Sequence, residues 1–142
     1  MKVVEISRSV AEGKEYITKG DAVQASEKLY KAVEECIKVL AEKHRIPEYE
    51  KAEKDGRWRS YLLAQAAGRL SDDLGKKEIE DAWLRAFNIH AWSFHEGKFS
   101  VEEIKRNVPY VEWIVNFVKD QGEKKLIYCF GEMPEWTIGT AC

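Results

Sequence analysis

Apolar residues recur along this chain at steps of three and four, the spacing of one face of an α-helix, and five such stretches stand out. Over Lys2 to Lys19, Val3, Ile6, Val10 and Ile17 fall on one stripe, with Gly13 filling a step and Gly20 supplying a stop. Asp21 is placed to N-cap a second helix running to about Lys43. Its inward face is Ala22, Ala25, Leu29, Ala32, Cys36 and Leu40, and the small residues at its start let a neighbouring helix come close. A third helix spans about Trp58 to Leu74, with Leu63, Ala67, Leu70 and Leu74 inward and Gly75 closing it. A fourth runs from about Lys77 to Glu96 and ends at Gly97. Ser100, with Glu103 placed to complete a capping box, starts a fifth. That helix carries Val101, Ile104, Val108, Val111, Val115 and Val118 on one stripe, and Pro109 inside it predicts a kink.

The segments between these stretches are turns, with two exceptions. His44 to Arg57 is polar, contains Pro47 and Gly56, and is expected to be a long loop. After Gly122 the pattern changes: KKLIYCF predicts a short strand, and GEMPEWTIGTAC has turn residues without periodicity. The expectation is an all-α chain, an antiparallel bundle of about five helices over residues 1–121 with an irregular tail over 122–142. GDAVQASEKLYKAVEE resembles one tetratricopeptide unit, but no second copy follows, which excludes a solenoid.

Composition narrows the class. The 142 residues suit one domain, and 44% hydrophobic with 34% charged residues is the balance of a folded chain. A net charge of −2 provides no global basic field, so binding nucleic acid through bulk charge is not indicated. Glu and Lys dominate while Asn and Gln are scarce, which predicts a thermophile source, although both residues are also good helix formers. No apolar run approaches the ~20 residues needed to span a bilayer, and the N-terminus has no long apolar stretch, so a cytoplasmic protein without a membrane partner is expected. Cys36, Cys129 and Cys142 fit no metal spacing, and Cys36 reads as a core thiol. Phosphate-binding glycine loops, HExxH and CxxC pairs are absent from the sequence. His44, His90 and His95 make no metal triad by spacing, and neither metal nor cofactor is expected.

The fourth helix, KKEIEDAWLRAFNIHAWSFHEG, carries the candidate chemistry. Ile79, Trp83, Ala86, His90 and Phe94 form its core stripe. A second stripe holds Asp81, Arg85, Asn88, Trp92 and His95, spaced at four, three, four and three. The plain reading pairs Asp81 with Arg85, buries Trp92 and leaves His95 as a cation at the helix end. The chemical reading makes Arg85 a phosphate ligand and His90 or His95 a general base, able together to cleave RNA without metal, with Asn88, Trp92 and His95 as binding residues and Trp92 stacking a base. Arg85 and His90 are ~140° apart around a straight helix. One site therefore needs long side chains or a second subunit. Arg85 and His95 are nearer in face but about 15 Å apart along the axis.

Two segments carry a resemblance: GDAVQASEKLYKAVEECIKVLAEKH, and AFNIHAWSFHEG with the helix from Val101. Together they resemble the archaeal PaREP family of small helical proteins, grouped with the HEPN superfamily, over roughly Met1 to Gln121. That resemblance implies a bundle of four or five helices, often a homodimer. It also implies either a metal-independent ribonuclease with an Arg-x4-6-His motif or an inactive partner of a nucleotidyltransferase in a toxin–antitoxin module. Arg85 to His90 satisfies the motif in form, but Ala86 stands where the common active form has a polar residue. The expectation is therefore a homodimeric interaction module of a toxin–antitoxin or mobile-element system. RNA or a nucleotide is its possible ligand, and catalysis by Arg85 and His90 is the alternative.

Overall fold

The computed structural model describes the backbone of residues 2–129, with the side chains of that span other than Phe94, His95 and residues 122–129. It contains α1 (Lys2–Thr18), α2 (Ala22–His44), α3 (Pro47–Asp55), α4 (Ser60–Leu74), α5 (Lys77–Ile89), a π-helical turn (His90–His95) and α6 (Val101–Cys129). The described residues thus form six α-helices rather than five, and none of them is in a strand.

The additional helix lies inside the expected loop. Pro47 occupies its first turn, where a missing N–H leaves no bond unmade and the fixed φ favours the helix. Arg45 (φ 51°) ends α2 in the left-handed region, and Gly56 (φ 81°) does the same for α3. Ala52 and Glu48 are buried under α3, and Arg69 of α4 donates from Nε to Glu48 at 2.7 Å. Pro47 and Gly56, read in the sequence as loop signals, are the start and stop of a short helix.

At the other end, the strand expected over KKLIYCF does not form, because the backbone stays helical to Cys129. Once a helix is running, each added residue makes a bond at little further cost, and Lys, Lys and Leu favour its continuation. The irregular tail expected after it falls on residues 130–142, outside the described residues.

α2 touches every other element and forms the axis of the bundle. Its buried face runs from Ala25 and Leu29 through Val33, Cys36 and Ile37 to Leu40 and Ala41. Asp21 caps it, accepting from the Gln24 N–H at 3.1 Å. Gly13 is where α1 crosses: a Cβ there would lie 2.9 Å from Leu29 Cγ, so the step left by glycine is the contact itself. Cys36 is fully buried, and burial, with the Glu35 charge, pushes its thiol far above the ordinary range. α4 and α5 are antiparallel across the tight turn at Gly75, and Gly68 lies against Glu80. α6 returns along α5, α2 and α1, burying Ile104, Val111, Ile114, Val115 and Val118.

Candidate functional site

α5 is a sharply two-sided helix. Ile79, Ala82, Trp83, Ala86 and Ile89 are buried, as the 3.6-residue period predicts. After Ile89 the regular bonding gives way to a π turn, a form often found at functional sites. Ser93 is fully buried in that turn and donates from Oγ to the Ala22 carbonyl at the start of α2, at 3.2 Å. Lys98 and Gly97 then donate to Trp92 and Ser93. The wider turn alters the angular position of every residue after His90. A stripe drawn on a straight helix therefore does not hold through His95.

Arg85 and His90 leave α5 in different directions. Arg85 is exposed and turns towards α6. Its guanidinium carbon lies 4.4 Å from the centre of the Tyr110 ring, and Nη2 donates to the Tyr110 hydroxyl at 3.2 Å. His90 is half-buried and turns towards α2. Its ring stacks on Tyr30 at 4.0 Å and 15°, with Phe87 at 6.0 Å. Trp83 completes this cluster, 5.6 Å from Phe87 and 5.7 Å from Tyr30. Within one chain the two motif residues do not meet, as their spacing implies.

The other members of the stripe differ from the plain reading. Asp81 and Arg85 form no ion pair, since the arginine is engaged by Tyr110. Trp92 is not a core residue: it is 48% exposed. Asn88 is exposed as well, and the His95 side chain lies outside the described residues. His44, also set aside by spacing, is exposed at the end of α2. Among the described residues no group of three or more His, Cys, Asp or Glu is placed to hold a metal, and no helix is long and apolar enough to cross a membrane.

Several residues that shape this region were not singled out in the sequence. Tyr30 and Tyr110 lie far from α5 in sequence, on α2 and α6, and only the fold brings them to His90 and Arg85. Leu84 (56% exposed) and Phe87 (39%) on α5 are exposed, as Trp92 is on the π turn. Their spacing of three and then five was legible. With Gly68 against Glu80, the antiparallel register sets Tyr61 (62% exposed) level with Phe87 and the exposed Ala64 level with Leu84. Exposed apolar side chains thus stand on α4, α5 and the π turn.

The chain matches the archaeal PaREP1/PaREP8 family over residues 2–115. A crystal structure of a protein from Sulfolobus solfataricus is 32% identical to it, with a TM-score of 0.75, covering 82% of this chain and 94% of that one. The solution structure of the same target gives a TM-score of 0.75 and 32% identity, covering 87% and 95%. No curated protein matches this chain.

Proposed function

The chain belongs to the archaeal PaREP1/PaREP8 family, and from that premise we propose that it is a HEPN-like interaction module working as a homodimer, its subunits joined through the outer face of α4, α5 and the π turn. The observation that carries this reading is the exposure of four large apolar side chains, Tyr61 on α4, Leu84 and Phe87 on α5, and Trp92 on the π turn. Large apolar side chains gathered in a patch mark interfaces, whereas scattered ones need no explanation. The outward positions of α5 from Leu84 to Asn88 hold a single charge, Arg85, while the opposite face of α2 and α1 is laced with ion pairs such as Lys28–Glu12 and Lys38–Glu34. Exposed apolar side chains on two antiparallel helices suit an isologous two-fold contact. The same face would serve a nucleotidyltransferase partner in a toxin–antitoxin or mobile-element setting.

Sedimentation equilibrium tests the homodimer. A mass of two chains is expected for the native protein, and Leu84→Glu with Phe87→Glu is expected to give a folded monomer. A native protein that stays monomeric at high concentration would sink the reading.

The posture of Arg85, exposed and without a carboxylate partner among the described residues, favours a second reading as a metal-independent ribonuclease. Arg85 of one subunit would hold the phosphate, and His90 of the partner subunit would take the 2′-hydroxyl proton. Incubation with mixed RNA in chelator distinguishes this reading. Cleavage lost in both Arg85→Ala and His90→Ala supports it, and equal background in all three proteins removes it.

A further inference from the structure

The outward side of the α5/α6 seam carries two guanidinium groups. Arg85 lies over the Tyr110 ring and donates to its hydroxyl. Arg106 is exposed and stands one helical turn before Tyr110, on the same face of α6. α5 and α6 are antiparallel: Glu78 shares a groove of about 200 Å³ with Pro109, Tyr110 and Trp113, while Arg85, two turns later on α5, also reaches Tyr110. Arg85 and Arg106 thus both neighbour Tyr110, and the exposed Asn88 stands one turn after Arg85 on α5. Among the described residues, Glu78 lines the groove beside Tyr110 but forms no ion pair with either arginine. Asp81 makes no pair with Arg85. Glu103 is near enough to feel the Arg106 charge, but its oxygen accepts from the Ser100 N–H and hydroxyl at 2.5 and 2.6 Å.

We infer that Arg85 and Arg106, with Tyr110 between them and Asn88 alongside, form a site for a phosphate-type oxyanion. A guanidinium laid on an aromatic face is fixed in direction, and this one has one donor committed to the hydroxyl. Its remaining donors can fork onto a phosphate without first giving up a carboxylate. Asn88 adds a neutral donor. The site needs neither a second subunit nor His90, so it does not depend on the interaction reading; it deepens the ribonuclease reading, with which it shares Arg85 as phosphate ligand, and binding without cleavage keeps the two apart. The phosphate belongs either to a small organic phosphate or to a nucleic-acid backbone, since both present the same oxyanion.

Calorimetric titration of the whole chain with pyrophosphate is expected to give a saturable one-site isotherm that weakens with salt. Arg85→Gln and Arg106→Gln should each weaken it about tenfold or more, as loss of a charge-assisted bond does. Tyr110→Leu should weaken it through Arg85, and Tyr110→Phe, which keeps the ring, should weaken it less. Arg8→Gln, an exposed arginine on α1, should leave it unchanged. A single-stranded oligouridylate is the second arm. Tighter binding than pyrophosphate, lost in the same two arginine variants, assigns the site to a backbone phosphate, and pyrophosphate binding alone assigns it to a small organic phosphate. The site is overturned if neither probe saturates at millimolar concentration, or if Arg8→Gln weakens binding as much as the seam variants do. Each variant is also sedimented: binding lost while the mass stays that of the native protein assigns the loss to the anion site and not to the dimer.

Discussion

Tyr30 is buried among Trp83, Phe87 and His90 and carries the imidazole of His90 flat on its ring. Burial, reinforced by the Glu34 charge and partly opposed by a hydrogen bond with Ser60, pushes its phenol up to about 12. A phenol raised in this way keeps its proton longer in the folded chain than in the unfolded one. From its ordinary value of 10.0 to about 12, the unfolded chain binds fewer protons, so this contribution to stability is full below that window and is lost as pH rises through it. Denaturant unfolding at successive alkaline pH values is expected to show that loss, and Tyr30→Phe is expected to flatten it. A variant curve parallel to that of the native protein would place the titration elsewhere. None of this was legible at Tyr30 in the sequence, where it is one of six tyrosines. Arg85 differs in kind. Its place on an outward stripe could be read from spacing, but its choice of Tyr110 over Asp81 depended on α6 lying alongside. Trp92 is the reverse case: its size suggested the core, and its position on the π turn left it at the surface.

Among the elements, α6 shows how a short signal sets a long helix. Ser100 and Glu103 were recognisable as a capping pair from their spacing, and the carboxylate does accept the Ser100 N–H and hydroxyl. The Ser100 hydroxyl, then its N–H, holds Glu103 below the usual carboxylate range. A depressed carboxylate stabilises the fold above its ordinary pKa, and that contribution is lost as pH falls through the folded value. Ser100→Ala is expected to lower stability near neutrality, because it removes the hydroxyl that donates to Glu103. It should also reduce the acid dependence, both read by denaturant unfolding. Unchanged stability at both pH values would mean that the start of α6 is held by packing alone. Pro109 sits within α6 and does not end it, because the valine and isoleucine stripe on either side is anchored against α2 and α5. The same lesson applies to α3. Proline and glycine punctuate chains, but whether they punctuate a loop or a helix depends on what lies beneath, here Ala52 and the Glu48–Arg69 bond.

At the scale of the molecule, the bundle closes its core around α2 and leaves Tyr61, Leu84, Phe87 and Trp92 exposed on the face of α4, α5 and the π turn. If that face joins two copies, association and folding are linked, and the midpoint of thermal unfolding should rise with protein concentration. The Leu84→Glu, Phe87→Glu variant should lose that dependence while keeping its helical signal in circular dichroism. A concentration-independent midpoint in the native protein would argue against the homodimer, in agreement with a monomeric mass by sedimentation.

The sequence by itself determined the all-α class, the inward faces of the five long helices and most of their ends. These depend on local rules: a period of 3.6, caps, and glycine where φ turns positive. It also determined that Arg85 and His90 point apart, since five residues on a helix set the angle between them. Tertiary structure decided the rest. It made the polar stretch after α2 a helix by giving it something to bury, carried α6 on to Cys129, and opened a π turn whose bonding has no signature in spacing. It also chose the partners of the α5 stripe, Tyr30 on one side and Tyr110 on the other, because contacts between residues far apart in sequence exist only once the helices have packed.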